Sequence, residues 1–206
     1  MNCLVINHCA HNKGDRAVLT FVIGELASLG ATSVAVSCNE PKYYPPARFI
    51  GNTKVKAIPQ AWNESAGENP TRFDLRLQGI RRRLGYHISS PVLRQLLFHR
   101  GPAGLAARLV DRRFADALKS ADFVISTGGH HLASSIGRDG IGPASFEMAA
   151  ALVAGRRLGF WSQTFGPFRF EKTSNRAFIR TVLNRADCIY ARDEKIYRLL
   201  AKLNYS

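Results

Sequence analysis

Two hydrophobic periods alternate along this chain, and that alternation restricts it to few architectures. Residues 3–7 form a short apolar run that reads as a strand. From Asp15, apolar residues fall at Val18, Phe21, Val22, Leu26 and Leu29, a helical spacing that Gly30 stops. Val34 and Val36 mark a second strand over 33–37. A β-α-β unit of this kind requires a parallel sheet and a right-handed crossover. Further strands are predicted at 54–58, 123–126, 158–161 and 188–191. After Pro102, Ala106, Val110, Phe114 and Leu118 lie four apart on one predicted helix face. Pro143 opens another helix to 154, a position helices favour for proline. Phe178, Ile179, Val182 and Leu183 mark the next helix, and Ile196, Leu199, Leu200 and Leu203 the last. The expected fold is α/β, a Rossmann-like open parallel sheet with the first strand at its centre, in a single domain over 1–206. Residues 39–101 break the pattern and read as an irregular, arginine-rich insertion with a helical fragment at 92–98.

Hydrophobic residues make up 46% and charged residues 21%, which excludes a disordered chain. No apolar run reaches the roughly 18 residues of a membrane span. The longest, from Met148 to Gly155, is far shorter, and Cys3 to Ile6 is too short for a signal-peptide core. The expectation is a cytoplasmic protein. Four cysteines, Cys3, Cys9, Cys38 and Cys188, form no CxxC pair and are expected to be reduced. Charge is the outlier, at +14. Between Arg72 and Arg113 there are ten Arg, no Lys and two Asp, a local excess of +8. Such a balance favours an anionic substrate or partner.

In open parallel sheets ligands sit beyond the carboxyl ends of the strands, so the strand-end turns are where chemistry is expected. The first reads Asn12-Lys13-Gly14-Asp15, in which Gly14 permits a tight turn and the helix supplies free N–H groups; Asp15 could equally be a helix cap. Neither a dinucleotide fingerprint nor a P-loop is present. Gly128 and Gly129 allow close approach of a ligand to the backbone or simply a tight turn, and His130 and His131 follow them. Gln163, Gly166 and Pro167 form the third turn, Arg192 and Asp193 the fourth. An arginine there can grip a carboxylate or phosphate, or pair with the aspartate. His8, Cys9, His11, His130 and His131 match no standard zinc spacing, so no metal is expected.

Together these turns form an ordered series. Asn12-x-Gly14-Asp15 opens a helix. Ala121-Asp122 leads through a strand to Gly128-Gly129. Gln163-x-x-Gly166-Pro167-Phe168 ends the next strand, and Arg185-Ala186-Asp187 leads to Arg192-Asp193-Glu194. The series resembles the polysaccharide pyruvyl transferase family, over residues 3 to about 203, with no match from 39 to 101. The chain departs from the family pattern at His130, where a third glycine is frequent, and at Ile196, where a serine is frequent.

The resemblance implies transfer of a pyruvyl group as a ketal, from phosphoenolpyruvate to two hydroxyls of one sugar. The acceptor is a cell-surface polysaccharide or its lipid-linked precursor. It also implies a two-domain fold like that of GT-B glycosyltransferases, of which this chain corresponds to the N-terminal half. The second domain is expected to be absent after Ser206, leaving activity of the chain alone in question. Phosphoenolpyruvate is a donor substrate, and no cofactor is expected. On this reading Arg192 contacts the donor anion. Asp15 contacts acceptor hydroxyls or acts as a base, with Asn12 and Gly14 shaping its pocket. Gly128, Gly129 and Gly166 line the cleft, Gln163 bonds the sugar, and His130 or His131 is the candidate acid. Expected partners are the donor and a sugar acceptor, with peripheral contact to the inner membrane face, and a homo-oligomer or a second-domain partner. The alternatives are a non-catalytic glycan-binding remnant and a basic nucleic-acid-binding module, although no nucleic-acid recognition signature is present and no specific nucleic acid is expected.

Overall fold

A computed structural model describes residues 1–8, 13–38, 41, 48–62, 88–127, 143–163, 165–166 and 173–202. Seven strands form one sheet: β1 (Asn2–His8), β2 (Ser33–Cys38), β3 (Arg48–Ile50), β4 (Thr53–Pro59), β5 (Phe123–Ser126), β6 (Arg157–Gln163) and β7 (Cys188–Ala191). Their order is β3-β4-β2-β1-β5-β6-β7, which places the first strand at the centre as its apolar run predicts. All pairings are parallel except β3 with β4. The short antiparallel β3 has no strong sequence signal. Two of its three residues are exposed, so burial leaves no apolar alternation to read.

The helices are α1 (Lys13–Ser28), α2 (88–98), α3 (Ala103–Ala106), α4 (Arg112–Ser120), α5 (Pro143–Val153), α6 (Thr173–Asn184) and α7 (Glu194–Lys202). The interval 39–101 thus holds β3, β4 and α2. Alternating side chains of β1 feed two cores, one on each sheet face. Leu4 and Ile6 join the larger, with residues of α2, α4, α5, α6 and α7; Cys3 and Val5 join the smaller, against α1. Burial pushes the Cys3 thiol up to about 11, as suits a small core residue.

Two helical expectations are corrected. α1 buries Leu19, Val22, Ile23 and Leu26, which follow the three-then-four spacing, whereas Phe21 and Leu29 are exposed. The single helix expected after Pro102 is two, because Asp111 starts a new one. Its carboxylate accepts the N–H groups of Arg113 at 2.9 Å and Phe114 at 3.4 Å, which is an N-cap. Phe114 and Leu118 are buried as expected, but Ala106 reaches the core from α3.

Candidate functional site

Because β1, β5, β6 and β7 run parallel, their carboxyl ends meet at one edge of the sheet, and in sequence each of these strands leads into one of the four predicted turns. Asn12, Gly128, Gly129, His130 and His131 lie outside the described residues. Gly14 and Asp15 occupy the first turn of α1, Gly14 exposed and Asp15 half-buried. The helix begins at Lys13, so Asp15 is inside the helix rather than its cap. Gly166 is buried with φ of 74°, a left-handed conformation that suits glycine, beside Phe165 packed on Phe160. Arg192 is exposed just beyond β7. Its neighbour Asp193 accepts the N–H of Ile196 at 2.9 Å and caps α7.

The centre of this edge is a buried polar network. Ser126 Oγ accepts a hydrogen bond from Asn7 Nδ2 at 3.1 Å and donates to Gln163 Oε1 at 3.0 Å. Ser126 and Gln163 end β5 and β6, and Asn7 is the penultimate residue of β1. Asn7 is 2% exposed and Gln163 0%. Asn7 has φ of 64°, a left-handed conformation that asparagine tolerates better than most residues. It coincides with a register shift in β1 between Val5 and His8. Backbone strain of this kind clusters at ligand sites.

Glu147, fully buried on α5, holds the bend in place. Its Oε2 accepts the Asn7 N–H at 3.0 Å, and its Oε1 accepts Ser37 Oγ–H at 2.5 Å and the Ala61 N–H at 2.9 Å. Burial pushes its carboxyl above the usual range, while the bonds from Ser37, Ala61 and Asn7 pull the other way. Sequence reasoning misses Glu147, Asn7 and Ser126. The available signal is a lone glutamate opening the long apolar run at Met148, since a carboxylate in an apolar helix demands partners.

Two atoms of the network have no partner. Asn7 Oδ1 and Gln163 Nε2 are buried and unbonded. One is an acceptor and the other a donor. Turning both amides over would reverse each bond through Ser126 and leave the same complement, one donor and one acceptor. A hydroxyl supplies both, and buried polar groups left unbonded cost free energy.

His8, the described member of the histidine group, is buried at the end of β1. Among the described residues no group of three or more His, Cys, Asp or Glu could hold a metal ion. No helix among them is long and apolar enough to cross a membrane.

An open, mostly parallel α/β sheet flanked by helices defines a Rossmann-like domain. The family model for polysaccharide pyruvyl transferase matches residues 12–206, and the chain belongs to that family, a family of transferases. Comparison with curated proteins and with solved structures gave no match.

Proposed function

We propose that this chain carries a ketal pyruvyl transferase site at the carboxyl edge, with phosphoenolpyruvate as donor and two hydroxyls of one sugar as acceptor. The sugar belongs to a cell-surface polysaccharide or its precursor. In that reaction two carbon–oxygen bonds form at the carbon bearing phosphate, and the carbon–phosphate-oxygen bond breaks. One hydroxyl proton ends on the methylene carbon and the other leaves with phosphate. The observation that carries the reading is the unbonded pair Asn7 Oδ1 and Gln163 Nε2, which together match a hydroxyl.

The roles divide along the sheet. Gln163 and Asn7 bond an acceptor hydroxyl, and Asp15, on α1, contacts a second hydroxyl or takes its proton. Arg192 contacts the donor anion. Three strand spacings separate β1 from β7, about 14 Å, so Asp15 and Arg192 serve different substrates. His130 or His131 is the candidate acid. On this reading further donor contacts would come from a second, GT-B-like domain.

The test is phosphate release from phosphoenolpyruvate with galactose, glucose and mannosamine-type acceptors, followed by mass analysis of the acceptor. The expected result is a pyruvylated sugar, with Gln163→Ala raising KM for the acceptor and leaving KM for phosphoenolpyruvate unchanged. Acceptor kinetics that ignore Gln163→Ala would remove this edge from the reaction.

A further inference from the structure

A second cluster lies at the opposite edge of the sheet. Arg156 immediately precedes β6, Arg185 closes α6 before β7, and Arg100 follows α2. All three line one cavity of about 410 Å³, together with Leu96, Leu152 and Val153, and none of the described residues lining it is a carboxylate. The ion pairs Arg113–Asp111, Arg157–Asp187 and Arg198–Glu194 involve none of them. Arg156 Nη1 donates to the Ala121 carbonyl at 3.3 Å, while its Nε is buried and unbonded. Burial, and then the Arg100 charge, lower the Arg185 pKa from its ordinary value. Six residues of β6 separate this edge from Gln163, about 20 Å of strand.

Arg100 is held here against its backbone preference. α1, α2 and α5 close with the same motif, in which the second residue after the helix is left-handed and the next N–H reaches back five residues. The bonds are Ala31 to Leu26 at 2.9 Å, Gly101 to Leu96 at 2.8 Å and Arg156 to Ala151 at 2.9 Å. The left-handed residue is Gly30 in α1 and Gly155 in α5, but in α2 it is Arg100, with φ of 50°. Glycine has no steric penalty there and arginine does. A positive charge is favourable at a helix C-terminus. That accounts for one arginine per helix, but not for three converging with no carboxylate among the described lining residues, nor for the unbonded Arg156 Nε.

We propose that this cavity is a second ligand site, distinct from the carboxyl edge, that takes a phosphoryl group. Arginine forks match phosphoryl oxygens in two-pronged bonds, and three of them more than neutralise a dianion. The remainder of the ligand has an open apolar depression beside it. A cavity of about 330 Å³ along Pro91, Val92 and Leu96 of α2 adjoins the first and shares Leu96 with it. A soluble phosphate ester and a lipid headgroup present the same chemistry.

The experiment uses the full chain and two probes. Inorganic phosphate is titrated by calorimetry at ionic strength matched with chloride. Phosphatidylcholine vesicles with and without phosphatidic acid are tested by co-sedimentation. The variants are Arg100→Gly and Arg185→Gln, with Arg180→Gln, exposed on α6 outside the cavity, as control. The expected result is binding in at least one arm, weakened about tenfold or more in both cavity variants and unchanged in the control. Binding by phosphate identifies a soluble ligand, and binding by acidic vesicles alone a headgroup. Arg100→Gly is expected to raise Tm while it loses binding, so misfolding cannot account for the loss. No binding of either probe, full binding by Arg100→Gly, or an equal loss in Arg180→Gln overturns the proposal.

Discussion

Leu158 and Asp187 hold each other at two points. The Leu158 N–H donates to the Asp187 carboxylate at 2.8 Å, and the Asp187 N–H donates to the Leu158 carbonyl at 2.7 Å. Asn2 and Asp122 repeat the arrangement, at 2.8 Å in each direction. The two Ala-Asp pairs of the family series, Ala121-Asp122 and Ala186-Asp187, are therefore clamps at the amino edge of the sheet. They fix where β5 and β7 start against their neighbours.

Removing either clamp should cost stability without touching the carboxyl edge. Asp122→Ala and Asp187→Ala are each expected to lose about 1 kcal/mol. The clamps join different strand pairs, so the double variant should lose close to the sum. Urea denaturation measures both; a double variant no worse than either single would mean that the two clamps act as one unit.

Glu147→Gln should be more damaging than its near-identical shape implies. Two backbone N–H groups, Asn7 and Ala61, bond different oxygens of this carboxylate. An amide has one oxygen, so in either orientation one of these groups faces an N–H₂. The expected loss is about 1–3 kcal/mol, seen by chemical denaturation, with the bend at Asn7 released.

The same carboxyl gives a pH dependence. Its pKa in the folded chain lies above the ordinary 4.5, so the folded state binds the proton more tightly. Its contribution is then fully present below 4.5, is lost as pH climbs from 4.5 towards the folded value, and is level above it. Subtracting the Glu147→Gln stability profile from the wild-type profile should show this fall as pH rises above 4.5. A difference that rises with pH would contradict it.

Gly159 tests packing in the middle of β6. A Cβ there would lie 2.8 Å from Cys188 Sγ and 2.8 Å from the Phe123 ring. Gly159→Ala is expected to destabilise the chain by about 1–3 kcal/mol, and adding Cys188→Ala should recover part of the loss. Thermal unfolding of the single and double variants checks this.

Asp15→Asn separates charge from shape in the first turn of α1. An acidic residue there contributes less than about 1 kcal/mol through the helix dipole. Unfolding should thus change little, while pyruvyl transfer by an active form of the enzyme should be lost. Unchanged turnover would leave Asp15 with a structural role only.

The parallel sheet was legible because strands such as 123–126 and 188–191 are short apolar runs bounded by turn residues, and their observed limits agree with that pattern. The break before α4 was not legible, since Ala106, Val110, Phe114 and Leu118 keep helical spacing across it, and only the cap at Asp111 reveals it. Of the carboxyl edge, Gln163 was visible because it follows a strand directly. Asn7, Ser126 and Glu147 were not, because each looks like an ordinary polar residue until the sheet order brings β1, β5, β6 and α5 together. The arginines 100, 156 and 185 are far apart in sequence, and their meeting depends on the helix ends.

The position of Glu147 also sets an order of events during synthesis. Its partners Asn7, Ser37 and Ala61 lie 140, 110 and 86 residues earlier in the chain. The first half of the protein therefore leaves the ribosome with a strand bend whose amide has no acceptor, and with β1 still lacking β5 on one side. Contacts of such long range close late and slow folding. A nascent chain stalled before residue 147 should be readily digested by protease, and one stalled well after it should resist. The buried carboxylate thus acts as a late latch on the growing protein.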